Sequence, residues 1–149
     1  MKRHNSLISC ALVLLAVVIP ELRAELVVTP SRPQVVGDTV VVTLQLRNDL
    51  EEPIEAARAV VFLQSEDGKL LDHRAQWVIG GRTGGASLEP GATKTFLFVL
   101  TRRSLRARTR IDGLQSQVMF NRLVLAGGRI GSVKRDVKVE ASVEADPGR

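Results

Sequence analysis

In DTVVVTLQLRN, residues 38–48, the side chains of Val40, Val42, Leu44 and Leu46 fall on one side of an extended chain. Thr39, Val41, Thr43, Gln45 and Arg47 fall on the other. A period of two with one apolar side is the mark of a strand that buries one face. A helix would need apolar residues every three or four positions, and the body of the chain has no convincing run of that kind. The alternation therefore commits the chain to strands, and the remaining question is how many.

Turn signals divide the sequence into about seven. The opening ELVVTP is the first strand, and Asp38–Asn48 the second. Asn48 to Pro53, rich in charge and turn formers, reads as a loop. Ile54–Gln64 is apolar on both faces near its end, as a strand in the middle of a sheet is. Asp67-Gly68 between two extended runs signals a hairpin, which makes Leu70–Ile79 the returning strand. The glycine-rich Gly80–Ser87 reads as a mobile loop, because glycine loses the most conformational freedom when it is ordered. Leu88-Glu89-Pro90-Gly91 is a tight turn before Thr93–Leu100, a second run of the central type. Gln117–Ala126 and Ser132–Val143 complete the set. Seven short strands with turns between them predict an all-β chain, a single immunoglobulin-like β-sandwich. Antibody-type hallmarks are missing: the chain has one cysteine and no tyrosine. The aromatic residues Phe62, Trp77, Phe96, Phe98 and Phe120 all fall in these strands and are assigned to the core.

The N-terminus follows a different plan. Lys2 and Arg3 precede the uncharged run Leu7–Ile19, 13 residues long, and Pro20 ends it before Ala24. That is a secretory signal peptide over residues 1–24, too short to cross a bilayer at roughly 20 residues per helical span. Residues 25–149 are then the sandwich domain, exported to a bacterial periplasm or secreted, without a transmembrane anchor. Cys10 leaves with the signal, so the mature chain has neither a disulfide nor a thiol nucleophile. It also loses Lys2, Arg3 and Arg23 against Glu21, so the formal charge falls from +5 to +3. That is well short of a dedicated nucleic-acid binder.

Several stretches carry a family likeness. Asn48 closes an alternating strand, Pro53-Ile54 opens the next, and Asp67-Gly68-Lys69 turns a hairpin. Leu88-Glu89-Pro90-Gly91 then precedes an aromatic strand at Phe96. Over about residues 35–100 this resembles the FxLYD-like and CARDB-like immunoglobulin-type domains of bacterial envelope proteins. Phe62-Leu63-Gln64-Ser65 stands where the first family has its Leu-Tyr-Asp, so the likeness is at the level of the superfamily. The front end also resembles the opening strands of periplasmic pilus-assembly chaperones, which have two sandwich domains where this chain has room for one. Such domains are mostly non-catalytic interaction or spacer modules, so the resemblance implies no catalytic set and no cofactor.

The residues themselves point the same way. His73 is the one histidine of the mature chain, and no G-x-S-x-G elbow accompanies it. Glu66-Asp67 reads as a solvated turn in preference to a calcium site, and GGRTGG lacks the Lys-Ser/Thr of a phosphate cradle. The densest chemical signal is TRRSLRARTR, with Arg102, Arg103, Arg106, Arg108 and Arg110. On a strand, Arg106, Arg108 and Arg110 form a row about 13 Å long. Such a row is either the wet face of an edge strand, where charge blocks unwanted pairing, or a binding surface, since guanidinium groups grip carboxylate, sulfate and phosphate with two bonds at once. No aromatic residues interleave them to stack bases, which argues against nucleic acid. The expected function is a non-catalytic, extracytoplasmic contact or accessory module in the cell envelope, its partner another envelope or secreted protein. The alternative is a module that binds a polyanion (anionic lipid, lipopolysaccharide or acidic glycan) through the arginine row.

Overall fold

The described residues run through nine strands: β1 (Leu26–Pro30), β2 (Gln34–Val36), β3 (Thr39–Asn48), β4 (Ile54–Gln64), β5 (Leu70–Ile79), β6 (Thr93–Thr101), β7 (Gln115–Leu125), β8 (Arg129–Ile130) and β9 (Val137–Val139). The computed structural model describes residues 23–101 and 112–144. In the first sheet β6 lies antiparallel along one edge of β3, while β2 and β1 share the other edge. β9 then runs parallel to β1. The second sheet has the order β5-β4-β7-β8, antiparallel throughout. The β3–β4 and β5–β6 connections both cross from one sheet to the other. That is the crossing pattern of an immunoglobulin-like sandwich.

The alternating residues decide which faces meet. Val40, Val42, Leu44 and Leu46 of β3 are buried, as their spacing requires. They join Ile54, Ala57, Ala59, Val61 and Leu63 of β4 and Phe98 and Leu100 of β6 in one apolar cluster. Each large member contributes about 1.5–3 kcal/mol on leaving water. Asn48 is fully buried at the end of β3, yet every polar atom of its amide is used. Its Nδ2 donates to the carbonyls of Glu52 (3.0 Å) and Leu88 (2.9 Å), and its Oδ1 accepts from Leu50 N (3.0 Å). Its backbone binds Ala92 and Gly91 of the Leu-Glu-Pro-Gly turn. One side chain thus fastens the end of β3, the β3–β4 loop and the turn before β6.

Five expectations need correction. The aromatic residues are not all core: Phe98 and Phe120 are buried, but Phe62 and Trp77 turn to the outer face of the second sheet. Phe96 sits half-buried at the rim, edge-to-face on Phe98 at 5.3 Å. Among the described residues β6 pairs with β3 alone, so it is an edge strand. Its outward Leu97 and Val99 are 56% and 42% exposed, which accounts for apolar residues on both sides without a central position. Ser132–Val143 is not one strand: a helical turn at Val133–Asp136 precedes β9. There Asp136 accepts from Ser132 N and Arg135 Nε, both at 2.8 Å. Two short strands, β2 and β8, carried too few residues to show a period.

The fifth correction concerns the glycine-rich segment. Gly81–Gly84 forms a helical turn closed by Gly84 N donating to Gly80 O at 2.9 Å. A Cβ on Gly84 would lie 2.5 Å from the carbonyl carbon of Ile79, and one on Gly81 would lie 2.7 Å from Cγ of Trp77. Gly80 and Gly81 also hold φ near +60°. Glycine is here the residue that lets backbone lie against backbone and ring, which a composition-based reading takes for looseness.

Candidate functional site: the outer face of the second sheet

The register of β5, β4 and β7 places their outward side chains in rows across the sheet. His73, Phe62 and Gln117 form one row; Ala75, Val60 and Met119 the next; Trp77, Arg58 and Arg122 the third. Ala56, Val124 and Ile130 extend the face toward β8. Met119 is 52% exposed and Ile130 62%, so a broad apolar surface faces water. Isolated exposed apolar residues are ordinary, whereas a continuous patch across three strands marks a contact surface.

Both neighbours of β4 are bulged at the third row. On the β5 side, Ala57 pairs with Ile79 and Arg58 with Trp77, which leaves Val78 as the extra residue. On the β7 side, Arg58 pairs with Arg122 and Ala59 with Phe120, which leaves Asn121 extra. A bulge re-aims side chains and steepens the local twist. Here two of them flank the same residue, so Trp77, Arg58 and Arg122 come together in one line. The glycine turn closes the Trp77 end of that line, with Thr83 Oγ1 donating to Trp77 O at 2.8 Å.

Electrostatically the line is unbalanced. Arg58 and Arg122 stand directly opposite one another, and no residue paired in these rows is acidic. Glu55, the acid closest in sequence, is used elsewhere: its carboxylate accepts from Gly127 N (2.9 Å) and Gly128 N (3.1 Å). Among the described ion pairs none involves Arg58 or Arg122. Like charges placed directly across a ladder cost stability. The arrangement can therefore do one chemical thing well, which is to receive an anionic group between two guanidiniums on an apolar floor.

Of the residues singled out in the sequence, Arg102, Arg103, Arg106, Arg108 and Arg110 lie outside the described residues. His73 is exposed on the edge strand β5, its ring stacked on Phe62 with centroids 6.1 Å apart. Asp72 accepts from the His73 backbone N–H at 2.8 Å rather than from its ring, and alternation turns the two side chains to opposite faces. Asp67 accepts from Ser65 Oγ, and this bond holds its carboxyl below the usual carboxylate range inside the hairpin turn. Among the described residues no group of three or more His, Cys, Asp or Glu converges as metal ligands would, and no helix is long and apolar enough to cross a membrane.

Sequence reading missed Arg58, Trp77 and Arg122. A faint signal existed: Arg58 is a lone cation between apolar residues of β4, and Arg122 is the one cation of β7. That they share a row depends on register and on two bulges, which a single strand does not show.

A scan against protein-family models finds none that matches the chain, and a search of curated proteins finds none either. Among solved structures the chain is similar to a calcium-binding mutant of Bacteroides uniformis β-glucuronidase 2, at 15% identity and a TM-score of 0.35. The match covers 69% of this chain and 12% of that one. At that score the likeness bears on neither the fold nor the activity of this chain.

Proposed function

We propose that this chain is a non-catalytic, extracytoplasmic β-sandwich module of the cell envelope that works by contact with another envelope or secreted protein. The observation that carries the reading is the apolar outer face of the β5-β4-β7-β8 sheet, with Met119 and Ile130 more than half exposed. The immunoglobulin-like sandwich and the strand-closing Asn48 support membership of the FxLYD-like and CARDB-like group. Export rests on the N-terminal charge and hydropathy plan.

The test is site-specific photo-crosslinking in cells, with the probe placed at Met119 on this face and, as a control, at Gln45 on the outer face of the first sheet. A discrete adduct from position 119 and none from position 45 is the expected result. Equal labelling from both positions, or none from 119, defeats the reading. Changing Arg102, Arg103, Arg106, Arg108 and Arg110 to serine in the same strain separates the polyanion alternative. If that change abolishes envelope association and the association falls steeply with salt, the arginine row is the site.

A further inference from the structure

We infer that the Arg58–Arg122 pair is a carboxylate clamp, and that the partner of this face presents an acidic side chain flanked by apolar residues. The inference rests on the contact reading above and names the chemistry that the contact selects.

Three independent features converge on the pair. First, Arg58 and Arg122 occupy one register position, so their Cβ atoms lie about 5 Å apart and their side chains can close on one group. A guanidinium offers a planar fork that fits a carboxylate with two hydrogen bonds, and two forks can hold both oxygens of one acid. Second, among the described residues no acid pairs with either of them, although acids pair with several other exposed cations. Arg47 has Asp49, Arg129 has Glu52 and Arg135 has Asp136. Third, bulges on both ladders of β4 flank this one row, whereas the two further register shifts, at Ile54/Ala56 and at Leu63/Gln64, lie near the strand ends and each affects one ladder only. A local rule broken twice around one residue is the pattern expected where function, not stability, sets the geometry.

The surroundings select among anions. Trp77, Val60, Met119 and Val124 bound the pair and lower the local polarity, which strengthens a charge-assisted bond. A membrane surface is a poorer fit, because recruitment by anionic lipid takes a cluster of about four to eight cations and the three rows of described residues hold two arginines. A second copy of the same face would bring four guanidiniums together on a chain that keeps a net charge of +3 without residues 1–24, and like charges across an interface are costly. An acidic protein segment meets both the charge and the apolar rows.

The sole tryptophan of the chain, Trp77, stands in the row and reports on it. The probe is a tryptophan-free heptapeptide of alternating glutamate and leucine, run beside its glutamine counterpart. The glutamate peptide is expected to shift Trp77 emission saturably, and the glutamine peptide is not. Arg58→Gln and Arg122→Gln should each weaken the response by about tenfold or more, the scale of one lost charge-assisted contact. Urea midpoints of both variants, expected at or above that of the parent, show that they fold. Equal responses to the two peptides, or an unchanged affinity in the variants, overturn the clamp. A Trp77 response to phosphatidylglycerol vesicles without one to the peptide overturns the protein partner in favour of lipid. Crosslinking from Met119 in the Arg58→Gln/Arg122→Gln strain separates the two levels. An unchanged adduct leaves the contact face standing and removes the clamp, a lost adduct supports both, and no adduct even in the parent removes both.

Discussion

The outer faces of the two sheets are built from the same alternation, yet they handle charge in opposite ways. On the first sheet the outward cations are answered locally. Arg47 is held by Asp49 through two bonds of 2.8 and 2.9 Å, and Lys138 lies 3.8 Å from Glu140. Val27 lies between them, and the neighbouring row is Thr29, Gln45 and Thr95, short or polar side chains that water can solvate. On the second sheet Arg58 faces Arg122 in a row that pairs with no acid, amid Trp77, Val60 and Met119. Side chains on both outer faces reach water, so exposure does not distinguish them. What differs is whether the chain completes its own charges. A face that does is finished in the free protein, and a face that does not is complementary to something else. The first sheet has its own apolar exposure at Leu97 and Val99, but there Arg74 Nη1 donates to Val99 O at 2.7 Å and covers part of the edge. An inward-pointing cation of this sort is one way edge strands avoid pairing with strangers.

The comparison breaks most sharply where the glycine turn supports the second face. Gly84→Ala drives a methyl group against the backbone of Ile79 and should cost about 3 kcal/mol, as overpacking at a rigid backbone does. Trp77 emission should move toward that of a solvated ring, because the turn that covers it has to shift. A cost under about 1 kcal/mol with unchanged emission contradicts the packing described for Gly81–Gly84. At the end of β3, Asn48→Ala strands the Leu50 amide and removes two bonds to carbonyls, for an expected loss of about 2 kcal/mol. Its Trp77 emission should stay that of the parent, since Asn48 fastens the first sheet and its turns. A red shift in Asn48→Ala would mean that the two faces are coupled.

These two positions also show where the sequence was informative. Asn48 was visible as the residue that ends an alternating strand, and the strand period with the Asp67-Gly68 turn was enough for an all-β sandwich. Both are local: they depend on spacing along the chain and on backbone conformations that particular residues favour. The Trp77–Arg58–Arg122 row is non-local. Arg58 and Arg122 are far apart in sequence, and each of the two bulges shifts the pairing by one residue. The glycine turn failed as a sequence reading for a related reason. Composition registers the conformational freedom of glycine, whereas Gly81 and Gly84 are needed for the space they leave to Trp77 and Ile79.

Acid tests the first sheet's own charge pairs next. The Asp136 carboxyl is held below the usual carboxylate range chiefly by its bond from Arg135, with Ser132 N contributing and burial opposing. Asp49 is lowered in the same way by Arg47. A carboxylate lowered by folding contributes stability above its unfolded pKa of about 4, and that contribution is lost as pH falls through the folded value. Asp136→Asn should therefore cost about 1 kcal/mol at pH 7, the scale of a weakened bond to a charged group. It should also flatten the decline of stability below pH ~4. An acid limb as steep in the variant as in the parent would assign that decline to other carboxylates.

The smallest effect is the most discriminating. Arg47→Gln and Arg58→Gln make the same chemical change on opposite faces. Arg47 forms an exposed ion pair, and such pairs contribute only a few tenths of a kcal/mol, so its loss should lower stability slightly or not at all. Arg58 is repelled by Arg122, and relieving a like-charge pair across a ladder should raise stability by about 0.5 kcal/mol. Both effects shrink with salt, so the difference between the variants should be largest at low ionic strength and fade toward 1 M, where the screening length is about 3 Å. Urea unfolding at two salt concentrations measures both. If both variants lose stability, or if the sign of the Arg58 effect ignores salt, then Arg58 is supported by its surroundings and the second face is as complete as the first. If the signs oppose and converge with salt, the free protein carries an unmet charge at that row, and a ligand that meets it gains the difference as affinity.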